Sequence, residues 1–263
     1  MQFGLQDETI VVAGGASGIG RATVELALAN GCKVGILDAD AAKLDAALRA
    51  LGRDGATVTG QVVDVRDEHA VSHAIAEVED TLGPISGLVN SAGISRPAMA
   101  DSLSLDNWKA VLDVNLQGSF LLAREVGKRM LSRGKGSIVM VSSVDGFGGH
   151  AARSHYTSSK FGVLGMVKSL AIEWGRFGVR VNAVCPGIVD TPLLRANIRA
   201  DHIKDVMEDR VPMGRLSSGE DQAKAILFLL CDAAGYITGI GMPVDGGLTA
   251  GFFTARHGAD GGK

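Results

Sequence analysis

The stretch 11–22, "VVAGGASGIGRA", decides how the rest of the chain is read. A β-type run, "TIVVAG" (9–14), leads into it, and a helical pattern over 18–30 follows it. Gly14, Gly18 and Gly20 stand where a chain leaving a strand turns tightly, admits a phosphate and packs the next helix against the sheet. Ser17 and Ile19 lie inside the same turn. The N–H groups of the helix that starts there have no partners of their own, so they suit a pyrophosphate. Gly-x-x-x-Gly-x-Gly alone is a weak signal. A strand before it and a helix after it supply the required context.

Outward from that turn, "KVGILD" (33–38), "ATVTGQVVDV" (56–65) and "ISGLVNSAG" (85–93) read as further strands. Residues 40–51 and 67–82 lie between them with apolar positions at helical spacing, such as Val71, Ile75 and Val78. Strand and helix in alternation predict an α/β fold: a single Rossmann-like, doubly wound parallel sheet flanked by helices. The pattern continues with a long helix near 104–133, a strand over 136–143, a helix over 154–178 and a strand over 179–187. After Pro186 the sequence becomes charged, and 188–216 is expected to be a small helical lid over a substrate opening. A buried helix at 219–231, a last strand near 240–245 and a loosely ordered tail over 250–263 complete one domain spanning 1–263.

Composition narrows the function. The chain has 263 residues, 46% hydrophobic and 21% charged, with a net charge of −3. Interspersed charges of both signs argue against nucleic acid as a partner. No apolar run reaches the ~18 residues of a membrane span, and the N-terminus carries no secretory pattern. Cys32, Cys185 and Cys231 are far apart, odd in number and in no metal-ligand spacing. They read as reduced thiols of a cytoplasmic protein. Glycine, 36 residues, is about twice as frequent as usual and clustered, which points to loops that approach a ligand closely.

Asp38 ends the second strand about 20 residues beyond the glycine turn, where a carboxylate can accept hydrogen bonds from both ribose hydroxyls. A 2′-phosphate would be repelled there, and the positions that could supply a compensating arginine hold Ser17 and Ala39. The expectation is NAD in preference to NADP; a simple cap on the next helix is the alternative role for Asp38. Asp64 would lie near the adenine, and a turn-forming aspartate accounts for it nearly as well.

With these residues in place, the chain resembles the short-chain dehydrogenase/reductase family over nearly its whole length. The motifs run in order: "GGASGIG", Asp38, "DV" at Asp64 and Val65, "NSAG" from Asn90 through Ala92 to Gly93, Asn115 in "VLDVNLQGSF", "VSS" ending at Ser143, "YTSSK" at 156–160, "PG" at Pro186 and Gly187, and "VDGG" at 244–247. The resemblance implies that Tyr156 is the acid/base for hydride transfer between an alcohol or ketone and a nicotinamide. Lys160 would hold the ribose and, with the positive ring of the oxidised cofactor, favour the phenolate, Ser143 would orient the substrate oxygen, and Asn115 would hold a water linking Lys160 to solvent. Lowering a tyrosine from about 10 by ~3 pKa units needs about 4 kcal/mol of differential stabilisation. Ile188, Val189 and Thr191 would meet the carboxamide end of the cofactor; a threonine before proline is also an ordinary turn residue. The resemblance further implies a homotetramer.

Two positions depart from the family pattern: Ala13 replaces a threonine and Ser91 an asparagine, which predicts a lost side-chain bond between loop and strand. His69 and His73 could chelate zinc, but no third ligand is in view and a solvated helix face explains them; no metal is expected. His150, Arg153 and His155 are placed to meet an anionic group, and a solvated loop is the competing reading. Met99, Met207 and Met213 line the opening or serve as adaptable packing. Three functions compete: an NAD-dependent dehydrogenase of a secondary alcohol, cyclic or aromatic among the candidates; a 3-oxoacyl-type ketone reductase; and a non-catalytic dinucleotide sensor.

Overall fold

A computed structural model describes residues 3–52, 57–197, 203 and 210–251. Seven parallel strands form one sheet: β1 (Thr9–Ala13), β2 (Lys33–Asp38), β3 (Val58–Val62), β4 (Ile85–Asn90), β5 (Gly136–Val141), β6 (Val179–Pro186) and β7 (Gly241–Val244). Their order is β3-β2-β1-β4-β5-β6-β7. Strand β1 pairs with β2 on one side and β4 on the other, so the strand order reverses there and the carboxyl ends of β1 and β4 open a crevice.

The sheet is covered on both faces because neighbouring strand residues point to opposite sides. Ile10 and Val12 enter a core built with Val24 and Ala27 of helix α1 (Gly18–Ala29), Leu44 of α2 (Ala41–Leu51) and Ile226 and Leu227 of α8 (Gly219–Leu230). Val11 and Ala13 enter the opposite core with Ile75 of α3 (Glu68–Leu82), Leu122 of α5 (Gly118–Arg133) and Val167 of α6 (Ser154–Trp174). Leu122 is fully buried, and its truncation to alanine would cost about 2–5 kcal/mol. Two further, shorter α-helices are α4 (Leu105–Leu112) and α7 (Pro192–Asn197).

Most elements lie where the sequence places them, with ends a residue or more shorter. The long helix expected over 104–133 is different. Ser104 caps its start, accepting a hydrogen bond from Asn107 N, but a five-residue π turn at Asp113–Gln117 separates α4 from α5. The residue inserted by such a turn re-aims the side chains within it, and π turns concentrate at functional positions. Asn115 sits at its centre. Of the expected lid, the described part holds α7 and a bridge between Val189 and Ser217; 198–202 and 204–209, with Met207, lie outside the described residues, as does the tail from 252 onward.

Candidate active site

The crevice at the sheet's reversal point is a cleft of about 450 Å³. Gly14, Ser17, Gly18 and Ile19 line one wall, Asp38, Asp64 and Val65 the far end, Ala92 and Gly93 the opposite wall, and Thr191 the lid side. Helix α1 opens onto it. Asp40, Asp67, Ser104 and Ser218 cap their helices by accepting backbone N–H groups, whereas the Ser17 side chain caps nothing and α1 has no acidic residue in its first turn. Its N–H groups are left for an anion. Gly20 is required by packing: a Cβ there would stand 2.2 Å from the Gly14 carbonyl oxygen. Gly14 has a φ of +70° and faces the Ala92 backbone, where a Cβ would come within 2.7 Å of Ala92 N.

At the far end Asp38 is held by both oxygens. It accepts a hydrogen bond from Ala16 N at 3.1 Å and from Asp40 N at 3.0 Å. Lys43 and Arg66 also line this end, which sequence reasoning missed because both lie beyond the motif positions. Neither cation is uncommitted: Lys43 pairs with Asp40 at 2.8 Å, and Arg66 Nε bonds both Asp64 oxygens at 2.9 and 3.0 Å. The Arg66 guanidinium holds the Asp64 carboxyl below its usual pKa. Three carboxylates thus face two cations. An uncapped helix start, a glycine-bordered turn and a carboxylate fixed at the far end of the cleft fit a nicotinamide dinucleotide.

The four residues expected to do the chemistry lie on neighbouring elements. Ser143 follows β5 and is buried; its Oγ accepts from Asp145 N at 3.1 Å. Tyr156 and Lys160 lie one turn apart on α6, so they share a face, and Lys160 Nζ is 5.5 Å from the Tyr156 ring centroid. Lys160 is buried and donates to the Val141 carbonyl at 2.8 Å. Asn115 grips Ile94 in both directions: Ile94 N donates to its Oδ1 at 2.8 Å, and its Nδ2 donates to Ile94 O at 3.0 Å. The same Nδ2 donates to Ser159 Oγ at 3.1 Å. Asn115 Oδ1 and Lys160 Nζ both border Gly93, where a Cβ would stand 3.3 and 3.7 Å from them.

In the chain alone Tyr156 is raised to about 12, first by burial and then by the charge of Asp145; hydrogen bonding from Ser143 and the charge of Arg153 oppose this. Lys160 is lowered to about 8 because burial disfavours its ammonium form. The sequence reading expects Lys160 and the positive ring of the oxidised cofactor together to bring the phenol down; in the chain alone, burial outweighs the groups that lower it. The cation that would complete the shift is the oxidised nicotinamide ring. Asp145 is a buried residue the motifs do not contain, and its Oδ1 lies 3.4 Å from His150 Nδ1.

Ser91 overturns another expectation. Its hydroxyl donates to Ala13 O at 3.1 Å and also approaches Gly14 O at 3.3 Å, so a side-chain bond between loop and strand is present. Serine is short enough to sit directly over β1, and with Ser91 N also donating to Ala13 O at 2.9 Å the joint is closed. Asn90 supports it from the buried side, donating to Ser119 Oγ at 2.8 Å and accepting from Ala92 N at 3.1 Å. Pro186, Gly187, Ile188 and Val189 lie outside the cleft lining, and there the lid side is formed by Thr191, Pro192 and Leu193. Leu37, which lines the cleft beside Asp38, was legible as the apolar residue before the carboxylate.

His155 does not face a ligand. It is fully buried, and its Nε2 lies 2.9 Å from the Arg96 carbonyl. A carbonyl only accepts, so Nε2 carries the proton. Two further contacts join the same segments: Ala98 N donates to Ala152 O at 2.9 Å, and Arg153 Nη1 to Ser95 Oγ at 3.4 Å. His69 and His73 are exposed, and no group of three metal-ligating side chains is present among the described residues. Met99 and Met213 are exposed as well.

Comparison with known proteins agrees with this geometry. A family model described as enoyl-(acyl carrier protein) reductase matches residues 14–249. Acetoacetyl-CoA reductase of Synechocystis sp. is 39% identical over 249 residues, 94% of this chain and 98% of the relative. D-threitol dehydrogenase of Mycolicibacterium smegmatis is 39% identical over 250 residues, 94% and 95% of the two chains. A crystal structure of a short-chain dehydrogenase/reductase family oxidoreductase from Burkholderia thailandensis superposes with a TM-score of 0.87 at 38% identity, covering 96% of each chain. No helix among the described residues is long and apolar enough to cross a membrane. The cleft, the Tyr156–Lys160 pair and these relatives lead to one conclusion: the chain belongs to the short-chain dehydrogenase/reductase family, oxidoreductases that act on alcohol and ketone substrates with a nicotinamide dinucleotide.

Proposed function

We propose that the protein is an NAD-dependent dehydrogenase of a secondary alcohol, with cyclic and aromatic alcohols among the candidate substrates, and that Tyr156 is its acid/base. The observation that carries the NAD preference is Asp38, fixed through both carboxylate oxygens at the ribose end with Lys43 and Arg66 committed to other carboxylates. A 2′-phosphate brought there would meet an anion that cannot turn away. The bound dinucleotide supplies the hydride acceptor. Tyr156 takes the hydroxyl proton of the alcohol, Ser143 orients that oxygen, and Lys160 holds positive charge beneath the phenol. Asn115, through its grip on Ile94 and Ser159, keeps the loop after β4 aligned with α6. The rest of the reading is one catalytic domain, acting in the cytoplasm as a homotetramer.

The test is a rate screen of cyclic, aromatic and polyol alcohols with NAD and NADP in parallel and Tyr156→Phe as control. NAD-linked turnover lost in the variant supports the reading. A preference for NADP would favour the ketone reductase, the activity named for the Synechocystis relative. Tight dinucleotide binding without turnover across the panel would favour a sensor.

A further inference from the structure

Arg153, against the Tyr156 ring, and Arg96, in the cleft lining, stand out as cations that have no carboxylate partner among the described residues. Arg153 lies over the Tyr156 ring, 5.5 Å from its centroid, with its Nη1 reaching Ser95 Oγ at 3.4 Å. Arg96 lines the cleft, and its Nη1 bonds only the neutral Asn107 Oδ1, at 2.9 Å. Most other arginines described here are matched to acids: Arg21, Arg49, Arg66, Arg124, Arg129, Arg133, Arg195 and Arg215 each form an ion pair. Arg153 and Arg96 are left over, one on the Tyr156 ring and one in the cleft lining. Asp145, eight residues before Arg153, is buried and faced by the His150 ring.

Their placement is built. Ala152, immediately before Arg153, has a φ of +60°, one of two non-glycine residues in the left-handed region among those described. That conformation costs an alanine about 1–2 kcal/mol, and strain of this kind persists only where surrounding contacts enforce it. Here the contacts are Ala98 N on the Ala152 carbonyl and the buried His155 ring on the Arg96 carbonyl. Together they fix both arginine-bearing segments against each other at the start of α6. Guanidinium groups favour planar oxyanions, which they bind by paired hydrogen bonds.

We infer that Arg153, with Arg96, forms an anion-recognition subsite, and that the substrate is a secondary alcohol or ketone carrying a compact oxyanion, such as a carboxylate, a few bonds from the reacting carbon. This rests on Tyr156 marking the position of the reacting oxygen, as in the proposed function. An anion on Arg153 then anchors the substrate while its carbinol reaches the phenol. Such an anchor acts in the bound ground state as well as during reaction, so it lowers KM more than it raises kcat.

The test uses the full chain with saturating NAD and two probes of different reach, 3-hydroxybutyrate and 4-hydroxycyclohexanecarboxylate, each beside its neutral amide. Calorimetric titration reads binding, and cofactor reduction reads turnover separately. The acid of at least one pair is expected to bind about tenfold tighter than its amide, equivalent to about 1.4 kcal/mol, with the advantage shrinking as salt is raised. Arg153→Gln should reduce that advantage to about threefold or less. Arg153→Lys should keep part of it, which separates loss of charge from misfolding, and Arg96→Gln should weaken it independently. Equal binding of acid and amide in both pairs, no measurable binding of either acid, or an advantage untouched by Arg153→Gln would each overturn the inference. A preserved acid advantage with no cofactor reduction would instead count against the proposed dehydrogenase chemistry and leave the subsite standing.

Discussion

Lys160 Nζ stands 5.5 Å from the centre of the Tyr156 ring while its proton is donated to the Val141 carbonyl at 2.8 Å. The buried ammonium therefore has a neutral acceptor where an ion pair would be expected, and burial lowers its pKa from 10.5 to about 8. Between those two values the unfolded chain binds more protons than the folded one, so this group makes stability rise as pH increases from 8 toward 10.5. Tyr156 acts in the opposite direction and higher: raised from 10.0 to about 12, it contributes stability that is lost as pH climbs through that interval. Denaturant melts of wild type and Lys160→Met from neutral pH to pH 10 should show the wild type gaining on the variant above pH 8, by up to about 3 kcal/mol. A constant difference would mean that the folded protein does not disfavour the ammonium.

Asp145 opposes ionisation of Tyr156 through its charge. Asp145→Asn removes that charge with little change of shape, so the rise of kcat/KM with pH should move to lower pH in the variant. An unmoved profile would show that Asp145 does not act on the phenol in the working enzyme.

Asp38 tests the cofactor reading. Asp38→Ala removes an acceptor from the ribose hydroxyls and leaves Lys43 and Arg66 as the charged neighbours of that end of the cleft. The ratio of kcat/KM for NAD over NADP should fall by about 10–100-fold, the equivalent of one or two charge-assisted hydrogen bonds. A ratio that stays put would return Asp38 to the role of a structural cap.

Ser91 ties the loop after β4 to β1. Ser91→Ala should cost about 1 kcal/mol of stability through the lost hydrogen bond. Pairing Ala13→Thr with Ser91→Asn should not stabilise the fold, because Ala13 is fully buried and added bulk in a packed core is destabilising. A higher Tm for that double variant would mean that the present joint is weaker than its geometry implies.

The sequence was most informative where one residue type had one physical use. Strand β2 has the bounds read from "KVGILD", since an apolar β-type run ending in a carboxylate admits few other structures. Gly20 of the first turn was legible because only glycine fits where a Cβ would stand 2.2 Å from another backbone. The π turn at 113–117 was not, because one extra residue in a helix barely disturbs its apolar spacing. Nor was Asp145: its influence on Tyr156 depends on how the chain folds back after β5, and nothing in "SVDGFG" records that distance. The Ser91 hydroxyl was misread for a related reason. A shorter side chain was taken as a missing bond, when closer approach of the two backbones lets it make one.

The three contacts that join 95–98 to 152–155 have a consequence for how this scaffold acquires new substrates. The loop after β4 and the start of the helix that bears Tyr156 behave as one cassette. Transplanting either segment alone from a relative would strand Ala152 in its left-handed conformation without the partner that holds it there. Altered selectivity should therefore come from exchanging both stretches together, although 54 positions separate Ala98 from Ala152 along the chain.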